Sequence, residues 1–315
     1  EALSAKWAIP VAQAIDAPVV APLRVKALKG SNIIPALVDL AHDDPGASAW
    51  LNLWSRWDWQ WIELSVRRAV EQGANTIRLI GDVNAVRTGM ISEAVYHDRL
   101  QQVISLCDSL RSRFYYCAID LRHKRGADPA FIAQFLSGVA GVLARNSNVM
   151  AIELCNEVAS AYAIYPEKDV VAWIGAWSSA IRATAPHIPL SISDVSPGTL
   201  SDKIAQVDFY SRYAHMVDFF DLHVYDGLEI GADSALLAPY ELSVNRPLLI
   251  GEFGIDRSVD GAHPGDFYSR VKMMRDSSEL VVGALQWGAI NDEYGLYSES
   301  GDCLQVDIAS EWARF

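Results

Sequence analysis

Cysteine is scarce in these 315 residues, and long apolar runs are missing. The four cysteines, Cys107, Cys117, Cys155 and Cys303, show neither a CxxC pair nor zinc-ligand spacing, and four leave three pairings open. Their places in candidate helices and strands favour packed thiols over a disulfide framework. No stretch offers the roughly eighteen uninterrupted apolar residues that a membrane-spanning helix needs. The most apolar early piece, Trp7 to Leu23, is broken by Pro10, Pro18 and Pro22, and residues 1–25 read as an extended lead-in. Basic charge is short as well: 26 Lys and Arg stand against 39 Asp and Glu, a formal net charge of −13, and the longest basic cluster is Arg122-His123-Lys124-Arg125. Such a balance speaks against nucleic acid or an anionic membrane surface as a partner.

Several signature motifs are absent too. No GxGxxG follows the first candidate strand and there is no Walker loop, which argues against dinucleotide or nucleoside triphosphate chemistry. There is no HExxH for zinc-assisted hydrolysis and no GxSxG elbow for serine acyl transfer. Asp120, His123, Asp221 and His223 are metal-capable residue types, but Asp221 and His223 make only a partial ligand set on one strand. No metal and no cofactor is expected.

What the sequence does have is alternation. Short β-branched runs at Lys26–Ile34, Thr76–Ile80, Phe114–Asp120, Val149–Cys155, Leu190–Ser193, Phe219–Val224, Pro247–Glu252 and Val282–Trp287 are separated by amphipathic helical windows, as in βα units around a parallel sheet. Asp128-Pro129 reads as an N-cap with proline in the first turn, opening a helix over Phe131–Ala144. Ser92 caps a second helix running to about Ser112, and a third window from Trp57 stops at Gly73. Eight such units in a chain of this length predict a closed (β/α)8 barrel, with all 315 residues in a single catalytic domain.

In such a barrel, chemistry sits at the C-terminal ends of the strands. Polar residues recur there: Arg78 in NTIRLI, Asp120 in CAIDLRH, Asn156 and Glu157 in VMAIELCNEV, His223 and Tyr225 in DLHVYD, Glu252 in PLLIGEFG and Trp287 in ALQWGAI. A carboxylate closing an apolar run is costly unless it is paired or used. Two of them facing one pocket have their proton affinities pushed apart, which suits glycoside hydrolysis: one acid protonates the leaving oxygen while the other carboxylate attacks.

The ordered set Arg78, Asn156-Glu157, His223-x-Tyr225, Glu252 and Trp287 resembles the clan A glycoside hydrolases, in particular the family 5 cellulases and mannanases, from about Lys26 to Trp287. The resemblance implies that Glu157 is the acid/base and Glu252 the nucleophile of a retaining enzyme. It further implies that Asn156 binds the hydroxyl next to the reacting carbon and that Arg78 and Tyr225 hydrogen-bond Glu252. His223 would line the pocket near Glu157, and Trp287 would form the floor under the sugar. Retention requires the two carboxyl groups to lie about 5–5.5 Å apart. Two departures stand out: Arg122 occupies the place of a frequent His, and Val158 the place of a common Pro. The first leaves cellulose specificity open.

The implied partner is a carbohydrate: a β-linked glucan, mannan or related polysaccharide or glycoconjugate outside the cell, in keeping with a chain that starts at Glu1 after processing or trimming. Two alternatives share the same residues: a clan relative cleaving an arabinofuranoside or a lipid-linked sugar, and a catalytically silent carbohydrate-binding barrel. In WLNLWSRWDWQW, Trp54, Trp57 and Trp61 fall at helical spacing and read as core, while Trp50 and Trp59 are the better candidates for stacking on sugars. Asn32 reads equally as a rim residue or an ordinary turn asparagine.

Overall fold

The structure, a computed structural model, describes residues 28–36, 53–121, 128–195, 200–225, 243–254 and 264–290, together with 237, 240, 241, 297, 309 and 312–315. The lead-in, Trp50, Arg122 to Arg125 and Cys303 lie outside the described residues. Cys107, Cys117 and Cys155 are buried free thiols.

Nine parallel strands run in the order β5-β4-β3-β2-β1-β9-β8-β7-β6. They are β1 Leu28–Ile33, β2 Thr76–Ile80, β3 Arg113–Cys117, β4 Val149–Glu153, β5 Leu190–Ser191, β6 Ser193–Val195, β7 Phe220–Val224, β8 Leu248–Phe253 and β9 Val281–Gln286. The count of nine comes from one interruption. The fifth candidate strand breaks at Ile192, its first half pairing with β4 and its second with β7. The backbone still bridges the break, since Leu154 N–H donates to Ser191 O at 2.8 Å and Asp221 N–H to Ile192 O at 3.0 Å. The result is the expected (β/α)8 barrel, closed around every expected strand. Its strands end earlier than the sequence suggests on two sides: β3 stops at Cys117, short of Asp120, and β4 stops at Glu153, short of Cys155. An isolated bridge between Asp120 and Asn156 continues the sheet beyond both.

Helices pack outside. Asp128 accepts from Ala130 N–H and opens the helix Pro129–Leu143, and Ser92 accepts from Val95 N–H at the start of Glu93–Ser109. Trp59–Glu71 begins at Asp58 and stops before Gly73, whose φ of 87° is a left-handed conformation that a side chain resists. Hydrophobic side chains then divide into two cores. The larger lies between strands and helices, with Ile62, Val66, Ile77, Leu79, Ile104, Phe135 and Trp177 among its members. The smaller comprises Leu28, Tyr115, Met150, Ala151, Phe219, Leu249, Val282 and Leu285. Tyr115 on β3 approaches Phe219 beside β7 with ring centroids 6.0 Å apart. These strands are not sheet neighbours, so this second core fills the barrel's interior.

Candidate active site

Above that interior core the barrel turns polar, and Arg78 is its hub. Arg78 lies mid-strand on β2 in register with Asn32 on β1 and Tyr115 on β3. Its guanidinium is fully buried. Nε donates to Glu153 Oε2 at 2.7 Å, Nη1 to Asn32 Oδ1 at 2.6 Å and to Glu252 Oε1 at 2.5 Å, and Nη2 to Asn156 Oδ1 at 2.7 Å. Burial would weaken its hold on the proton, but the charges of Glu153, Glu252 and Asp221 outweigh it and raise the pKa well above the ordinary value. A buried ion pair left with one partner costs about 3–5 kcal/mol, so each of these four acceptors depends on the guanidinium being in place.

Asn32 is no turn asparagine. Its Nδ2 donates to Gly251 O at 2.8 Å and Gln286 O at 3.0 Å, tying β1 to β8 and β9 beneath the rim. Asn156 is fixed from both ends: Oδ1 takes the Arg78 bond and Nδ2 donates to Asp120 Oδ2 at 3.1 Å. That holds the amide in one orientation and leaves its second N–H to serve a ligand hydroxyl.

Glu157 sits four residues beyond β4 in a left-handed conformation, φ 44° and ψ 59°. For a non-glycine residue this costs about 1–2 kcal/mol. Local hydrogen bonds offset the cost: its N–H donates to Ser193 Oγ at 2.8 Å, and its carbonyl accepts from Ser160 N–H at 3.0 Å and Ser160 Oγ at 2.6 Å. The twist detaches the side chain from the strand direction and turns it toward β7 and β8. There His223 Nδ1 lies 3.0 Å from Glu157 Oε1 and 3.3 Å from Glu252 Oε2. His223 and Glu252 are paired positions of neighbouring strands, which fixes their proximity through the sheet.

Glu252 is nearly buried and receives two strong donors, Arg78 Nη1 on Oε1 and Tyr225 OH on Oε2, each at 2.5 Å. Withdrawal from water and then the Glu252 charge push the Tyr225 phenol well above its usual range, so it keeps its proton to donate. One carboxylate oxygen of Glu157, one of Glu252 and one His223 nitrogen all lie within 4.8 Å of one another. Trp287 directly follows β9, is partly exposed, and donates its backbone N–H to Phe253 O at 2.8 Å, next to Glu252.

Burial opposes charging His223, but the Glu252 carboxylate, the hydrogen bond to Glu157 and the Asp221 charge together raise its pKa to about 9. Asp221 is raised to about 7, first by burial and then by the Glu153 charge. Two triplets bring ligating atoms within 4.8 Å, Glu153 with Asp221 and His223, and Glu157 with His223 and Glu252. Each triplet contains a carboxylate already bound to the Arg78 guanidinium, so Arg78 fills the cationic role a metal would take.

Six residues of the ordered set, Arg78, Asn156, Glu157, His223, Tyr225 and Glu252, thus meet at one end of the barrel, and the Trp287 backbone lies beside β8. Sequence reading missed Glu153, Ser193 and the part played by Tyr115 and Ser191. Glu153 shares strand parity with the inward Ala151, a signal hidden by the conspicuous Asn-Glu pair after it. Of the tryptophans, Trp54 is fully buried as expected, stacked on Tyr96 at 3.7 Å with its Nε1–H on Ile80 O. Trp54 and Trp57 precede the helix instead of lying on it, and Trp59, expected as a sugar platform, packs partly buried against the core.

No protein-family model and no curated protein sequence matches the chain. Solved structures do. The endo-1,4-β-D-mannanase from Thermotoga petrophila RKU-1, with maltose and glycerol, superposes with a TM-score of 0.63 at 14% identity over 91% of this chain and 98% of its own. A structure described as Fpglu1 from Fervidobacterium pennivoraus gives 0.65 at 12% identity over 92% and 95%. The apo β-glucosidase 1317 gives 0.60 at 13% identity over 80% and 86%. What the chain shares with these structures, over 80–92% of its length, is the (β/α)8 barrel.

Proposed function

We propose that the protein is a retaining glycoside hydrolase that cleaves β-linked glycosides of the glucan or mannan type, or a related polysaccharide or glycoconjugate, outside the cell. The observation that carries this reading is the pair Glu157 and Glu252, with carboxylate oxygens within 4.8 Å and opposite surroundings. That spacing leaves no room for a water between carboxylate and sugar. Glu252, gripped by Arg78 and Tyr225, is fixed in place and aimed, as a nucleophile must be. Glu157, which meets His223 Nδ1 at 3.0 Å, is the group assigned both to give and to take a proton.

In the first step Glu252 attacks the anomeric carbon, the bond to the leaving oxygen breaks, and Glu157 supplies that oxygen's proton. Attachment of the sugar removes the charge of Glu252. In the second step Glu157 takes a proton from water, the water oxygen bonds the anomeric carbon, and Glu252 leaves as carboxylate. Asn156, with one free amide N–H, binds the adjacent sugar hydroxyl, and Trp287 provides the face on which the ring rests. The neighbours' names, a β-mannanase and a β-glucosidase, lend support to β-linked hexosides.

A panel of β-glucans, β-mannans and aryl β-glycosides, with the first-formed anomer read by proton NMR, tests the proposal. Hydrolysis with the β-anomer released first is expected. Release of the α-anomer would rule out double displacement, and no hydrolysis on any member would leave the barrel without this activity.

A further inference from the structure

Beneath the two rim glutamates lies a second layer that the proposed mechanism does not use. Asp221 on β7 is fully buried and touches neither Glu157 nor Glu252 through a hydrogen bond. Its Oδ2 accepts from Tyr115 OH at 2.9 Å, and Tyr115 OH also meets Ser191 Oγ at 2.7 Å. Its Oδ1 faces His223 Nε2 at 3.7 Å. Its backbone is gripped by Ile192 O, and Gly251 leaves the space the carboxylate occupies: a Cβ there would collide with Asp221 Oδ1, Oδ2 and Cγ.

The surroundings of His223 are one-sided. Facing the ring are Glu157 from the segment after β4, Glu252 from β8, Asp221 from its own strand and Glu153 from β4, with Arg78 from β2 bound to Glu153 and Glu252. Among the described residues, the groups paired with a ring nitrogen are carboxylates, acceptors when ionised. A neutral imidazole presents one nitrogen as an acceptor, and at His223 Nε2 that nitrogen would confront the Asp221 oxygen with no hydrogen between them.

We propose that Asp221 is a positioning residue that keeps His223 protonated on both ring nitrogens, so that its Nδ1–H stands as a fixed donor between the two rim glutamates. The consequence for chemistry rests on the glycosidase reading. A donor on Glu157 Oε1 reserves that oxygen as an acceptor and leaves the exchangeable proton of Glu157 to Oε2. The same donor lies near Glu252 Oε2 and shields the two carboxylates from each other. Tyr115 and Ser191 serve Asp221 in turn, orienting the carboxylate from the far side of the barrel.

The test reads the ring itself. In uniformly ¹⁵N-labelled full-length protein, His223 is expected to keep both nitrogens protonated at pH 8. In Asp221→Asn, the same size without the charge, the midpoint of its titration should fall by about one pH unit or more. Tyr115→Phe, which removes one hydrogen bond and keeps the ring, should move the midpoint the same way by less, and it carries the test if Asp221→Asn does not fold. On a turned-over substrate, the basic limb of kcat/KM in Asp221→Asn should shift to lower pH in step with the NMR midpoint, with KM little changed. An unchanged His223 midpoint in the folded variants overturns the proposal. Because the ring signals do not depend on substrate, failure of the wild type to hydrolyse any glycoside would count against the glycosidase reading alone.

Discussion

At the scale of single residues, two carboxylates of the same type are set apart by what touches them. Glu252 meets a permanent cation and a phenol that holds its proton tightly, whereas Glu157 lies against the His223 ring. Their substitutions are therefore expected to differ in kind. Glu157→Ala should lose natural substrates while sparing formation of the intermediate from aryl glycosides whose phenolate leaves without protonation; azide should then speed turnover and give a β-glycosyl azide. Glu252→Ala should lose both substrate classes by about 10³-fold or more, because removing a member of a unit that acts together removes most of its effect. Steady-state rates with and without azide, with product configuration by NMR, decide the matter. Equal loss of both substrate classes in Glu157→Ala, without an azide effect, would make Glu157 a structural residue.

At the scale of elements, strand pairing does most of the positioning, and one glycine limits how β8 can be built. Gly251 lies where β8 shifts register against β9, directly before Glu252, and the Asp221 carboxylate fills the space of its missing side chain. Gly251→Ala should destabilise the protein by about 1–3 kcal/mol through forced displacement and lower kcat by moving Glu252. Urea denaturation and kinetics on one preparation measure both; a variant with unchanged midpoint and unchanged kcat would mean that β8 yields without consequence. This is also where legibility from sequence ends. Alternation and caps revealed all eight strand regions and the helix starts at Asp128 and Ser92, because both depend on local chemistry. The ordered rim residues were legible because a polar side chain after an apolar run has few uses. The third and fourth strands were drawn too long, to Asp120 and Cys155, because a bridge outside regular pairing looks like more strand. Glu153 and Tyr115 stayed hidden, and Asp221 was legible only as a metal-capable residue, because their meaning comes from contacts across the barrel, between strands 106 positions apart in the case of Tyr115 and Asp221.

At the scale of the whole molecule, the barrel concentrates Arg78, His223, Glu153, Glu157, Asp221 and Glu252 in one nearly dry layer, so stability is coupled to protonation there. His223 has its pKa raised from 6.5 to about 9 in the fold. A raised value means the folded state holds the proton more tightly. The contribution is thus complete below about pH 6.5 and is lost as pH rises through about 9. Asp221, raised to about 7, acts with the same sign over a lower window, from its ordinary value of 3.8 upward. The stability difference between wild type and His223→Gln should accordingly shrink between pH 6.5 and 9.5, as read by urea midpoints at several pH values; the difference cancels thiol and phenol titrations common to both. A difference that stays constant or grows over this range would mean that His223 is neutral in the fold.

Covalent trapping reaches the centre of the matter most directly. Incubation with 2-deoxy-2-fluoro-β-glucosyl and β-mannosyl fluorides, followed by intact-mass and peptide mass spectrometry, should show one sugar added per chain, attached to Glu252. It should add none to Glu252→Gln, and turnover should return as the sugar is released. A label on any other residue, or an enzyme that hydrolyses the parent glycosides yet never carries a label, would contradict the assignment of Glu252 as nucleophile.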